Sequence, residues 1–158
     1  MKCKLFDFGT LNNYKIVMVI SQKNGRLLLS RPLKKRSWEP QTCTVLPGEN
    51  VKDCAERAIK ESFSEFNGEL KPLCDFWFGN TRSGNNGTVF AADITDVEVI
   101  GEVKHPSDKP VIEETRAFSK LPRTLIYPRI TTEILIYMIN KGIANLTLLP
   151  QALIAAKA

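Results

Sequence analysis

Residues 47–68 read PGENVKDCAERAIKESFSEFNG, and this one stretch limits most strongly what the chain can fold into. Pro47-Gly48-Glu49-Asn50 is a turn that opens a helix, with Asn50 suited to the N-cap and Asp53 to the positive end of the helix dipole. The helix is expected from about Val51 to about Phe66, with Asn67-Gly68 as its stop. Ala55, Ile59, Phe63 and Phe66 follow helical spacing and form an apolar stripe that must be covered by another element.

The rest of the chain offers strands to cover it. Tyr14–Ser21 is rich in β-branched residues and reads as a buried strand, returned by Lys23-Asn24-Gly25 into a second strand at Arg26–Arg31. Thr42–Leu46 is a short strand candidate. Leu73–Phe78 and Thr88–Ile94 read as a second hairpin across the turn Arg82–Gly87, and Glu114–Ser119 as a further short strand. A second helix is expected over Thr131–Asn140, stopped by Gly142. Helices interspersed irregularly with hairpins predict a mixed α/β (α+β) sandwich, not a doubly wound parallel sheet. One domain is expected over residues 1–142, with residues 143–158 as a C-terminal extension, a short helix or tail.

Composition excludes several classes. The 158 residues are 43% hydrophobic and 25% charged, which argues against disorder as the main state. No apolar run approaches the roughly 20 residues of a membrane helix, and Asp7 interrupts any leader-like start, so a cytoplasmic protein is expected. A single His, His105, excludes a zinc site built on several imidazoles and a His-pair relay. Cys3, Cys43, Cys54 and Cys74 form no C-x-x-C pair and read as free thiols, mostly buried.

Charge is unevenly placed. Residues 1–36 hold nine basic residues and one acid, residues 37–101 five basic and eleven acidic, and residues 102–158 eight basic and five acidic. An anionic ligand held between Lys/Arg side chains and a carboxylate-bound cation is one reading of this pattern, and a solvated mixed surface is the other. Lys34-Lys35-Arg36 is too short to argue for nucleic acid.

On the helix, Arg57 and Glu61 are neighbours at i, i+4, and Ala58, Glu61, Ser62 and Glu65 are expected on a face distinct from the apolar stripe. Carboxylates on such a face can hold Mg²⁺ against a diphosphate, and an ion pair on a solvated face would use the same residues. Phe76, Trp77 and Phe78 alternate around a strand, so some can line a pocket while others fill the core.

This segment resembles the box of the Nudix hydrolases, G-x5-E-x7-R-E-U-x-E-E-x-G-U with U aliphatic. Glu49 matches the first Glu, Arg57 falls at the x7 distance, Ile59 matches the aliphatic position and Glu61 the first Glu of the E-E pair. Arg26–Arg31 with Trp38-Glu39 is similar to the family's LLxxR…WExxGG segment. Leu73–Trp77 and Val89–Asp93 resemble its following hairpin, and Glu113-Glu114, Leu121-Pro122 and Tyr127-Pro128 its late acidic strand and the segment before the last helix. The resemblance covers roughly Tyr14–Gly142 and implies a Nudix-like α/β/α sandwich with a mixed sheet.

It implies a metal-dependent hydrolase of a nucleoside-diphosphate-linked or other organic diphosphate, with Mg²⁺ or Mn²⁺ as cofactor. Glu61 would act in catalysis and with Glu65 in metal binding, and Glu113 or Glu114 would serve as a further ligand or base. Gly48, Glu49 and Arg57 would form the structural part of the motif. Arg31, Arg36 and Trp77 would contact the substrate, a small phosphate-containing molecule. The box is also degenerate. Thr42 and Cys43 replace the glycines, Ala58 the Glu after Arg, Ser62 the second Glu of the pair and Ser64 the closing Gly. These departures imply a second reading, a Nudix-fold binding or regulatory protein without hydrolase activity. In the isopentenyl diphosphate isomerase branch a catalytic Cys sits five residues after a Trp, as Cys43 does after Trp38, but that branch's His ligands have no counterpart here. The apolar stretch Leu146–Ala156 is a candidate surface for pairing with a second copy of the chain.

Overall fold

The computed structural model describes residues 2–63, 65–94 and 112–142. Ser64, the loop Val103–Pro110 with His105, and the extension 143–158 with Leu146–Ala156 lie outside the described residues. The elements run β1 (Lys2–Asp7), β2 (Ile16–Lys23), β3 (Arg26–Pro32), β4 (Gln41–Thr44), α1 (Val51–Ser62), β5 (Lys71–Gly79), β6 (Gly84–Asp93), β7 (Ile112–Phe118) and α2 (Pro128–Asn140). The seven strands form one sheet in the order β1-β5-β6-β2-β3-β7, with β4 added to β2. The β2–β6 pair is parallel and the others are antiparallel, so the sheet is mixed, as expected. Among the described residues no helix is long and apolar enough to cross a membrane.

Alternation along the strands produces two cores. Met18, Ile20, Leu27, Leu29, Phe76 and Val89 face α2 and pack on its Ile130, Ile134, Leu135 and Met138. Val17, Val19, Leu28 and Phe90 face α1 and pack on Cys54, Ala55, Ala58, Ile59 and Phe63. The helices therefore cover opposite faces, giving the α/β/α sandwich.

The structure amends four expectations. α1 ends at Ser62, not near Phe66: Phe63 leaves helical geometry while its N–H still bonds the Ile59 carbonyl at 2.8 Å, and a turn from Phe63 to Phe66 brings both rings into the α1 core. β6 begins at Gly84 rather than Thr88, because the Asn80 side chain accepts the Arg82 and Ser83 N–H groups at 2.9 and 3.0 Å and tightens the turn ahead of it. α2 begins at Pro128, a residue suited to the first turn of a helix. β1 has no counterpart in the sequence reading; it pairs with β5 and turns Cys3 and Leu5 toward the α2 core.

The loop from β1 to β2 is fastened to the sheet by Asp75. This fully buried carboxylate accepts from the Leu11 N–H at 2.9 Å, the Tyr14 hydroxyl at 2.6 Å and the Thr88 hydroxyl at 2.8 Å. Three donors offset the desolvation of its charge.

Gly87 stands opposite Phe76 in the β5–β6 register, and a Cβ there would lie 2.2 Å from the Phe76 ring. Phe76 is fully buried and has no room to yield. Gly87→Ala is therefore expected to cost about 1–3 kcal/mol in chemical denaturation, with an unchanged m-value.

Candidate functional site

The turn before α1 is tied to the helix by one ion pair. Arg57 donates from Nε to Glu49 Oε2 at 3.2 Å and from Nη2 to Glu49 Oε1 at 2.9 Å and to the Thr44 carbonyl at 2.8 Å. Glu49 Oε1 also accepts the Leu46 N–H at 3.1 Å, and Gly48 at φ +76° gives the turn its left-handed step. Hydrogen bonds from Arg57 and the Leu46 N–H hold the Glu49 carboxyl down at about 2. Gly48, Glu49 and Arg57 thus come together.

Glu61 extends from the last turn of α1 toward β4. Its Oε2 accepts from the Cys43 thiol at 3.7 Å, and Arg57 Nη1 reaches the same sulfur at 3.6 Å. Burial pushes the Cys43 thiol up to about 12, with Glu61 adding to it, which favours the neutral thiol. Burial also raises the Glu61 carboxyl. The sequence reading gave no site role to Glu39, whose bridge to Ser30 puts it on the α1 side of the sheet, within reach of the charge of Glu61. Burial and the charge of Glu61 push its carboxyl up to about 7. Its position in Trp38-Glu39, beside the box, was the available signal.

Ala58 and Ser62 are not on a separate polar face. Both are 1% exposed and sit in the core between α1 and the sheet. Ser62 Oγ lies 2.7 Å from Ser30 Oγ, which is 2.9 Å from Thr115 Oγ1 and accepts from Gln41 Nε2 at 3.1 Å. Gln41 Oε1 in turn accepts from the Ser21 hydroxyl at 2.6 Å. A branched chain of neutral hydrogen bonds centred on Ser30 runs through this part of the interior. Glu65 lies past the end of α1 and is exposed, so it is not one helical turn beyond Glu61.

Glu114 is on the other face of the sheet. Thr115 points with Ser30 toward α1, so its neighbours Glu114 and Arg116 point toward the α2 side. There Glu114 Oε2 accepts from Arg31 Nη2 at 3.3 Å, and Glu114 Oε1 accepts from Arg116 Nε at 3.0 Å and pairs with Arg116 Nη2. A register shift between Arg31 and Pro32 lets Glu113 reach Arg31 as well, at 3.0 Å. Both guanidinium groups stand against the Trp38 ring, at 5.8 Å for Arg31 and 5.2 Å for Arg116. The structure therefore does not join Glu61 and Glu114 in one constellation.

Arg36 is exposed in the β3–β4 loop. Trp77 is on β5, which is three strands, or about 14 Å, from β3 and Arg31. Its ring lies over Gly84, where a Cβ would come within 2.3 Å of it. The three residues expected to contact substrate are not gathered.

Among the described residues no group of three or more His, Cys, Asp or Glu side chains is placed to hold a metal ion. Glu114 has both oxygens engaged by arginines, and neutral Ser62 is bound to Ser30. The described donor set does not fit Mg²⁺ or Mn²⁺.

The architecture nevertheless matches known folds. A Bacillus subtilis pyrophosphohydrolase superimposes with a TM-score of 0.70 at 22% identity, over 89% of this chain and 91% of that one. A MutT Nudix hydrolase from Burkholderia pseudomallei gives 0.57 at 17% identity, over 81% of this chain and 98% of that one. A Nudix hydrolase from Listeria monocytogenes gives 0.59 at 13% identity, over 84% and 98%. The chain has the Nudix fold. No protein-family model and no curated protein matches its sequence. The Nudix resemblance of the sequence is thus upheld at the level of architecture.

Two substitutions test the site's interior. Ser62→Ala is expected to cost about 1–2 kcal/mol, and Ser62→Glu about 3–5 kcal/mol because it buries an unpaired charge, both read by denaturant unfolding. Glu39 has a raised folded-state pKa, so its stabilising contribution is full below about pH 4.5 and is lost as pH rises through about 7. Glu39→Gln is therefore expected to raise Tm relative to wild type above pH 7, with the difference shrinking toward pH 5.

Proposed function

We propose that this chain is a Nudix-fold protein that binds a phosphate-containing small molecule and does not carry out metal-dependent hydrolysis. One observation carries the reading: Ala58 and Ser62, at the positions where the resembling box has carboxylates, are buried in the core, with Ser62 engaged by Ser30. Water activation and charge neutralisation at phosphorus both need a cation that the described residues are not arranged to hold. Without it, a charged Glu61 disfavours a phosphate placed beside it.

A second reading, a Nudix-type hydrolase of an organic diphosphate, is favoured by one feature. Glu39, with its carboxyl raised to about 7 beside Glu61, has the poise of a general base. The fold neighbours include a pyrophosphohydrolase and a UDP-X diphosphatase, which lends that reading its substrate class.

A single panel decides between them. The purified protein is incubated with nucleoside triphosphates, nucleotide sugars, dinucleoside polyphosphates and NAD, with Mg²⁺ and then Mn²⁺, beside the Glu61→Gln variant. The expected outcome is thermal stabilisation by at least one compound, about 2.7 kcal/mol at a hundredfold excess over Kd, with no product. Turnover that Glu61→Gln abolishes would replace this reading with the second one.

A further inference from the structure

On the α2 side of the sheet, the ends of β2, β5 and β6 leave a cavity of about 230 Å³. The strand register accounts for it. Ile20, Ala91 and Lys71 stand in one row across β2, β6 and β5. Neighbours in such a row share a face, and Ile20 and Ala91 put this one on the α2 face. Ala91, in the middle, has the smallest side chain of the row and leaves space above it. Leu73 borders that space from the point where the β5–β6 register shifts between Pro72 and Cys74. Met138, the last buried residue of α2 before the helix ends at Asn140, borders it from the other side.

The polar part of the cavity comes from the next row. Gln22 stands beside Asp93 in the β2–β6 register, and Glu69 and Lys71 join them in the lining. Gln22 Oε1 is buried and accepts no hydrogen bond among the described residues. Buried acceptors are ordinarily paired, so an open one on a residue that lines a cavity marks a place for a donor from outside the fold. Glu69 and Lys71 are exposed and make no ion pair among the described residues. A buried acceptor, a carboxylate and a lysine beside an apolar floor match a molecule that carries an ammonium, a carboxylate and an apolar body close together. The size agrees. The cavity exceeds the roughly 150 Å³ that takes a benzene ring and falls short of the roughly 300–1,000 Å³ of drug-sized ligand sites.

We propose that this cavity binds a free amino acid with an apolar side chain of the size of leucine or methionine. Its ammonium donates to Gln22 Oε1 and pairs with Glu69, its carboxylate pairs with Lys71, and its side chain rests on Ile20, Leu73, Ala91 and Met138. The cavity is across the sheet from α1 and Glu61, so the proposal does not rest on the phosphate-binding reading.

The full chain would be titrated calorimetrically with L-leucine and L-methionine. Three further probes each lack one element: leucinamide the carboxylate, 4-methylpentanoate the ammonium and L-alanine the apolar body. The same titrations would be run on Gln22→Met, which keeps the length of the side chain and removes the acceptor, on Ala91→Leu, which fills the space, and on Lys71→Gln. Leucine or methionine is expected to bind at a single site, about tenfold or more tighter than any of the three probes. Gln22→Met and Ala91→Leu should weaken that binding by about tenfold or more, and Lys71→Gln should erase the preference for leucine over leucinamide. Gln22→Met should hold its ligand-free Tm at or above that of wild type, since it removes an unpaired acceptor, so its loss of binding is not a loss of fold. No heat and no rise in Tm with either amino acid at about tenfold above a millimolar Kd overturns the proposal. Leucine affinity unchanged in Gln22→Met overturns it as well, even where Ala91→Leu fails to fold. Leucinamide or 4-methylpentanoate binding as tightly as leucine overturns it in favour of a simple amine or carboxylate site. Each of these results leaves the phosphate-binding reading standing, because that reading is decided by the nucleotide panel alone.

Discussion

The pairing of β2 with three other strands is the constraint on which the rest of the structure depends. One edge of β2 runs parallel to β6 over Ile16–Gln22, and the other is divided between β4 at residues 16–19 and β3 at residues 21–23. Buried on both faces, β2 sends Met18 and Ile20 to one core and Val17 and Val19 to the other. A slip of one residue would exchange those sets and detach both helices. The same alternation, passed through β3 to β7, puts Ser30 with Ser62 and Arg31 with Glu114. The register that assembles the sandwich thus also separates the two groups of carboxylates.

Several carboxylates gathered on one helix face are costly without a cation, since each raises the pKa of the next. Ala58 and Ser62 carry no such cost, and hydroxyl groups fill the space around Ser62. Ser30, Gln41, Ser21 and Thr115 form a neutral network that needs no metal. Glu61 is met by a thiol, and its charge adds to the burial that raises the Glu39 carboxyl.

The sequence made the helices and hairpins legible because their signals are local. Asn50 caps α1 through its side chain, bonding the Asp53 N–H at 2.8 Å as its residue type predicts. The end of α1 was not legible, since Phe63 and Phe66 continue the helical period although a turn delivers them to the same core. Nor was the burial of Ser62, because its partner Ser30 on β3, and the Gln41 and Thr115 side chains that bond Ser30 from β4 and β7, come from distant parts of the chain. β1 was overlooked because an edge strand alternating Lys2, Cys3, Lys4, Leu5 is too short to stand out without its partner. For Glu114, period-2 alternation shows that it shares a face with Arg116, but which face depends on the pairing of β7 with β3.

The Glu49–Arg57 tie shows why a motif can survive in part. Arg57 satisfies its guanidinium within the motif itself, on Glu49 and the Thr44 carbonyl, and Glu49 has the Leu46 N–H besides. None of these bonds runs through Ala58 or Ser62. The turn at Gly48 and the start of α1 therefore hold their shape independently of the residues at positions 58 and 62. The turn and the helix start are thus held by bonds that close among residues 44–57. Toward the end of the helix, burial raises the carboxyls of Glu39 and Glu61 and encloses Ser62, so packing governs the charge at that end of the segment.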